Sequence, residues 1–349
     1  MSLPSIFDPH VHLWMPRSTP RTVTPLVKLF GWSRPIMDLA ARLLFPRDAL
    51  DFVGRIDYVT ADYLPADYLR DAAGLDILGV VHVEASWNAR HPMGMADETR
   101  WLEGLAGGDV IRAIVGAADL ASPDLDALLD AHARTSDRFV GVRDKLACSP
   151  RRGLMDWTRS PNALTDPAWQ EGYGRLGARG LSFDAWMYSP QLKDFTAVAA
   201  AHPQTRVVLD HVGTPPGLGG AYGGLSDSER ADITARWRDD LAALAELSQV
   251  HLKLSGLTMP IAGWGLHEQP PITAAQLAER LGPHIRYALD LFGPERCMFA
   301  SNFPMDKVSV PLTTLFAAFD SIVADRSEEA RQQLFSGTAQ RFYRQGDDA

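Results

Sequence analysis

The 349-residue chain is 46% hydrophobic and 22% charged, the balance of a globular protein long enough for one large α/β barrel or two ordinary domains. Its formal net charge of -9 argues against a nucleic-acid-binding surface. Cys148 and Cys297, the only two cysteines, make no disulfide framework and suit a reducing compartment.

The chain reaches Asp8 and His10 before any apolar run develops, so no signal peptide is expected. The apolar patch at 39–45 is short and interrupted by Arg42, which excludes a bilayer span. The expectation is a cytoplasmic protein acting on a small molecule, with no nucleic-acid or membrane partner. A homo-oligomer stays open.

Residues 6–14, Ile-Phe-Asp-Pro-His-Val-His-Leu-Trp, read as a first strand. Strand side chains alternate, so His10 and His12 share a face and can aim at one cation or one substrate oxygen. The section from about 15 to 75 is too long for a simple connection. Its Leu26, Val27, Leu29, Phe30 and Trp32 favour an ordered cap, with a helix near 34–45 and another opened by Pro65.

From Asp76 onward, strand-length apolar runs recur at 77–85, 111–118, 139–146, 181–187, 206–212, 250–254 and 296–300. Helical segments lie between most of them, including 98–106, 125–135 and 229–247; the last carries Ile233, Trp237, Leu241 and Leu244 at helical spacing. Eight alternating units predict a (β/α)8 TIM barrel over 1–349, with the cap inserted after the first strand. A doubly wound sheet is the weaker reading, because no glycine-rich phosphate loop follows an early strand.

Barrel active sites sit at the C-terminal ends of the strands. Those ends carry His10 and His12; His82 and Glu84; Arg143 and Lys145; Asp184 and Trp186; Asp210 and His211; Lys253; and Asn302 with Asp306 just beyond. Each has a bland account of its own. His82 reads equally as a core histidine, Lys253 as a structural partner of Glu84, Arg143 as a rim ion pair, and Asp306 as a helix-start residue. Their recurrence at one end of the barrel is what points to a site.

The segments Asp8-Pro9-His10-Val11-His12, Val81-His82-Val83-Glu84-Ala85, Leu209-Asp210-His211-Val212-Gly213, Leu252-Lys253-Leu254-Ser255-Gly256 and Phe299-Ala300-Ser301-Asn302-Phe303-Pro304 together resemble the amidohydrolase superfamily. More narrowly, the chain resembles the amidohydrolase-related branch that contains sugar-lactone and 2-pyrone-4,6-dicarboxylate lactonases. The similarity continues to Gly337–Tyr343, so it covers nearly the whole chain. It implies a distorted (β/α)8 barrel in which His10, His12 and His211 hold one divalent ion (Zn2+ or Mn2+), or else contact the substrate carbonyl directly with no cofactor.

Two departures matter. Strand five carries Asp184 where binuclear members of the family use a histidine, so a two-metal centre is not expected although Lys145 stands on strand four. The strand-eight aspartate of the family is Asn302 here, and an amide is no base near neutral pH. The leading expectation is a hydrolase of a small cyclic ester. His10, His12, His211, Asn302 and Asp306 would be catalytic, with Asp306, His211 or Glu84 as candidate bases. His82, Glu84, Arg143, Asp184, Trp186 and Lys253 would contact substrate, with Arg143 and Lys253 holding an anion or oxyanion. The alternatives are a metal-dependent decarboxylase or lyase of the same superfamily and, more weakly, a non-catalytic binding protein on this scaffold.

Overall fold

The computed structural model describes residues 3–158 and 160–343; both ends of the expected 1–349 domain lie outside them. Eight parallel strands form one sheet in sequence order: β1 (Ile6–Val11), β2 (Ile77–Val83), β3 (Ile111–Ala117), β4 (Phe139–Arg143), β5 (Ser182–Ala185), β6 (Arg206–Leu209), β7 (Val250–Leu254) and β8 (Cys297–Phe299). The sheet closes on itself just past β8. There Val11 bridges Phe303, the Asn302 N–H donates to the His10 carbonyl (2.9 Å), and the His12 N–H donates to the Phe303 carbonyl (2.8 Å). The last strand is too short to close the ring within its own length, so the turn after it completes the seam.

Several strands end earlier than their apolar runs suggest. The run at 139–146 leaves the sheet at Arg143, and the run at 206–212 leaves it at Leu209. Hydrophobicity continues past the last ladder hydrogen bond because the mouth loops are themselves buried.

Side chains of Phe7, Val81, Val83, Val115, Val140 and Met298 fill the barrel interior. A C-terminal helix, Thr338–Tyr343, adds Ala339, Phe342 and Tyr343 to that interior cluster. The larger core lies between the strands and the surrounding helices, among them Leu125–Thr135, Asp227–Ala245 and Ala274–Phe292. Trp237, Leu241 and Leu244 are fully buried there, as their helical spacing predicts.

The segment expected as a cap is five short helices: α1 (Thr24–Phe30), α2 (Arg34–Leu44), α3 (Arg47–Val53), α4 (Ile56–Thr60) and α5 (Pro65–Asp71). Prolines in the first turns of α1, α2 and α5 supply a φ already suited to a helix. Leu26 and Val27 of α1 pack on Met37 and Ala41 of α2, giving the cap a small core of its own. Trp32 and Leu43 stay exposed. Paired backbone hydrogen bonds between Trp14 and Tyr63, 2.9 Å each way, tie the cap's two ends to the barrel mouth. Among the described residues no helix is long and apolar enough to cross a membrane, and both cysteines are free.

Candidate active site at the barrel mouth

The first strand changes phase between Asp8 and Val11, where its register against β2 shifts. Phe7 packs in the interior layer. Asp8 points elsewhere and accepts hydrogen bonds from the Tyr68 hydroxyl and the Ser301 N–H, each 2.9 Å. His10 and His12 then converge, with their Nε2 atoms 3.2 Å apart.

Hydrogen bonding fixes one imidazole outright. A carbonyl only accepts, so His12 Nδ1 donates to the Val83 carbonyl (2.8 Å), and the neutral ring presents a bare Nε2. His10 Nδ1 lies 3.3 Å from Asp210 Oδ1 and 3.1 Å from Lys253 Nζ. Its proton has two placements: on Nδ1 facing Asp210, or on Nε2 facing His12. Burial pushes both rings well below the usual histidine value, so they are neutral at neutral pH.

His211 arrives by an unusual turn. After β6 the chain takes positive φ at His211 (56°), Val212 (49°), Gly213 (76°) and Thr214 (41°). Left-handed backbone is costly for β-branched Val212 and Thr214, so the surrounding packing must hold it. The turn sets the His211 ring 4.5 Å from that of His10, with Nδ1 2.8 Å from Ser255 Oγ. Burial lowers this imidazole to about 3.

A charged column stands behind the histidines. From the floor upward, the Tyr343 hydroxyl donates to Asp184 Oδ2 (2.8 Å), and Lys253 Nζ donates to the same oxygen (2.5 Å). Lys253 also lies 3.0 Å from Asp210 Oδ1, and all three members of this Asp–Lys–Asp group are fully buried. Two carboxylates share one ammonium, so their acidities split. Burial raises Asp184; burial would raise Asp210 too, but Lys253 and His10 outweigh it and hold Asp210 well below the usual range. The sequence expectation that Lys253 pairs with Glu84 is therefore corrected: its partners are Asp184 and Asp210.

Glu84 instead serves Arg143 and Lys145. Arg143 donates from Nε to Glu84 Oε1 (2.8 Å) and from Nη2 to the Glu84 carbonyl (2.7 Å), while Lys145 Nζ lies 3.2 Å from Oε1. Burial alone would raise this carboxyl, but the two cations hold it at about 2. Such an ion-paired group is a poor base. Arg143 Nη1 reaches on to within 3.5 Å of His10 Nε2.

These groups face a cavity of about 150 Å³, lined among others by His12, His211, Glu84, Arg143, Lys145 and Asn302. Trp14, Phe52, Trp157, Trp186 and Met259 give it apolar walls. Thus His12, His211, Glu84, Arg143, Trp186 and Asn302 come together, with His10 directly behind. His82, Asp184, Lys253 and Asp306 are buried but do not line the cavity. Val81 and Val83 take the inward positions of β2, leaving His82 Nδ1 to accept from the Leu13 N–H (3.3 Å), with Nε2 3.7 Å from Glu98. Glu84 gains the mouth only because it lies one residue beyond the strand.

Asp306 does not fold over the mouth. It opens a 3-10 turn, Asp306–Val308, and accepts from Thr258 Oγ1 (2.6 Å). Burial pushes it up to about 7 against the opposing hydrogen bonds of Thr258 and Asn302. A group raised in the folded state contributes fully below the ordinary value of 3.8, and that contribution is lost as pH rises through about 7. Asp306→Asn keeps an acceptor for Thr258 and removes this penalty, on the order of 4 kcal/mol at pH 8. The variant's melting temperature is expected to exceed wild type by a margin that grows from pH 4 to 7 and then levels off. A margin that does not vary with pH would mean Asp306 titrates normally. Loss of turnover in the same variant would restore it as a candidate base.

Trp157 and the cap's Arg21 and Phe52 are site residues that sequence patterning does not select, and Lys145 and Asp210 are strand-end residues to which it gives no catalytic or binding role. Lys145 and Asp210 stood within recognised strand-end segments, whereas Arg21 and Phe52 have no periodicity or motif to mark them.

For a divalent ion, the donor set fits. Among the described residues, His10, Asp210 and His211 offer ligand atoms within 4.8 Å of one another. This differs from the expected trio by Asp210 in place of His12. His12 nevertheless stands beside it, since 3.2 Å between two imidazole nitrogens is close to their separation on a tetrahedral ion with bonds of about 2.0–2.1 Å. His10 with its proton on Nδ1 facing Asp210 is the tautomer a metal requires.

The chain has relatives among known proteins. Residues 7–345 match the family model described as Amidohydrolase. An uncharacterized protein of Sinorhizobium fredii is 29% identical over 99% of this chain and 100% of its own length. The L-fucono-1,5-lactonase of Burkholderia multivorans is 29% identical over 80% of this chain and 92% of its own. A crystal structure of a Burkholderia multivorans amidohydrolase with bound zinc superposes with TM-score 0.70 and 25% identity, covering 97% of this chain and 99% of that one.

Proposed function

The chain belongs to the amidohydrolase family, and from that membership we propose that it hydrolyses a small carboxylated or hydroxylated cyclic ester, a lactone. The observation that carries the proposal is a cavity-lining His12 whose Nδ1 donates to the Val83 carbonyl, leaving Nε2 without a proton, with His10, Asp210 and Arg143 beside it. The lactonase name of a relative at 29% identity supports the same reading.

In this reading the ester carbonyl lies against Arg143 and His211, where a developing oxyanion gains most from donors already in place. The Asn302 amide orients a water molecule. His12 Nε2 takes the water's proton as its oxygen bonds to the carbonyl carbon; burial and Arg143 oppose the imidazolium so formed, and the Val83 carbonyl and Glu84 partly offset them, with Asp210 further back behind His10. The ring C–O bond then breaks, and the imidazolium returns the proton to the leaving alkoxide, giving an open hydroxy acid. Lys253 and Asp184 act through His10 and Asp210 as positioning residues, since neither lines the cavity. His10, Asp210 and His211, with His12 beside them, would hold a divalent ion, which when bound polarises the carbonyl as a Lewis acid.

The test is turnover of small lactones in 18O-water. The expected result is one solvent oxygen in the product carboxylate and a loss of about 10²-fold or more in His12→Ala. A second reading, decarboxylation of a carboxylated substrate, is favoured by one feature: Asn302 stands where the family's proton-accepting aspartate would be. Release of carbon dioxide with no solvent oxygen in the product would select it.

A further inference from the structure

The geometry points to an anion subsite in this cavity, formed by Arg21 of the cap and Lys145, that takes a carboxylate carried on the substrate away from the scissile ester. The inference deepens the lactonase reading and rests on it for the identity of the reacting group.

Arg21 precedes α1 and reaches into the cavity from the cap side. Its Nη1 donates to the Ala85 carbonyl, and its Cζ lies 4.4 Å from the Trp14 ring centroid. Its Nε is buried without a hydrogen-bond partner, and among the described residues it makes no ion pair. The other cations each have an acid in contact: Arg143 meets Glu84 and Asp210, Lys145 meets Glu84, and Lys253, behind the cavity, has its two aspartates. Burial lowers the Arg21 guanidinium to about 10, with Glu98 and Glu84 only partly opposing.

The cavity lining thus carries three cations, Arg21, Arg143 and Lys145, against one carboxylate, Glu84. Lys145 is lowered first by burial, and Arg143 and Arg21 also push its charge down. Arg21 Nη1 is held on the Ala85 carbonyl and Lys145 Nζ on the Ser86 hydroxyl, so two successive residues set both cations at the one cavity. Two like charges held near one gap, where Glu84 is the one carboxylate in the lining and is already engaged by Arg143 and Lys145, favour an added anion there. A planar fork with an unused N–H suits a carboxylate.

Position argues for a remote substituent and against the reacting carboxyl. Arg21 Cζ and the His12 ring both lie near the Trp14 ring, 4.4 Å and 6.3 Å from its centroid, but Arg21 is anchored on the Ala85 carbonyl and His12 on the Val83 carbonyl, two residues earlier. The guanidinium is held beyond the strand end that holds His12, so the group it takes is set apart from the group attacked at Nε2.

The experiment compares a lactone bearing a ring carboxylate with the same lactone bearing a carboxamide, in wild type, Arg21→Gln and Arg21→Lys. Wild type is expected to favour the carboxylate by at least about tenfold in kcat/KM, the scale of one charged hydrogen bond. Arg21→Gln should lose that preference through KM, its loss on the carboxylate exceeding its loss on the carboxamide by at least about tenfold. Arg21→Lys should regain part of it, which a purely structural role would not give. Equal wild-type rates on the two lactones, or equal losses on both in Arg21→Gln, would overturn the subsite and leave the lactonase reading standing. If wild type opens neither lactone, that reading fails, and equilibrium binding decides the subsite. Cyclopentanecarboxylate should then bind wild type at least about tenfold more tightly than Arg21→Gln. Equal binding would overturn it.

Discussion

Lys253→Met is expected to remove nearly all activity and to lower the melting temperature on the order of 5–10 °C. The side chain is fully buried, and its ammonium is the counter-charge to both Asp184 and Asp210. Methionine fills the space but leaves two carboxylates with no cation between them. Breaking a buried ion group by removing one partner costs roughly 3–5 kcal/mol, because the remaining charge is stranded. The activity loss has a separate cause. His10 Nδ1 lies within 3.1 Å of the ammonium and 3.3 Å of Asp210, so the lysine helps decide where the His10 proton sits. Disturbing a positioned proton-transfer group costs about 10²–10⁴-fold.

The two effects separate with pH. Without the ammonium, both carboxyls rise above the unfolded value of 3.8, and Asp184 is already near 6 in the wild type. A raised group favours folding at low pH and loses that contribution as pH climbs through its folded pKa. The stability deficit should therefore be smallest in acid and largest above pH 6. Activity should not recover in acid, because the His10 tautomer is still unsupported. Thermal melts from pH 5 to 8, with turnover at each pH, check this. A variant that melts within about 2 °C of wild type throughout would show that Lys253 is not the counter-charge to the pair.

The sequence exposed those parts of the site that follow strand alternation or a strand end. Arg143, His211 and Asn302 each stand at or just beyond the last ladder residue of their strands, and the barrel carries them to one mouth. His82 failed the same logic, because the inward positions of β2 belong to Val81 and Val83. Alternation gives two faces but not which one turns inward. His10 and His12 share a face as alternation predicts, but the register shift in β1 decides which way that face turns, and no pattern of residue types announces it. The pairing of Lys253 with Glu84 does not hold for a related reason: both are buried charges needing partners, and several acids and bases are available to meet them. Distance in the folded barrel decides, and sequence spacing carries no trace of it. Arg21 lies within an irregular stretch where the cap helices alone determine its direction.

Gly256→Ala should abolish turnover while a neighbouring control does not. A Cβ at Gly256 would fall 2.4 Å from His211 Cγ and 2.7 Å from Nδ1, far inside van der Waals contact. His211 has nowhere easy to retreat. Its ring packs 4.5 Å from His10, its Nδ1 is bonded to Ser255, and its backbone sits within four successive positive-φ residues that leave little freedom to rotate. The imidazole must move by more than an ångström or the β7 end must shift, and a displacement of about 1 Å at a reacting group can cost 10²-fold. Gly256 also has φ +66°, where alanine loses roughly 1 kcal/mol on backbone grounds alone. Gly224→Ala isolates that part: φ is +71°, and nothing lies within 4 Å of the added Cβ. Both variants should lose a little stability, and only Gly256→Ala should lose activity by about 10²-fold or more. Equal activities in the two would mean that the exact seat of His211 does not matter to the reaction, and the cavity would have to work through His12 and Arg143 without it.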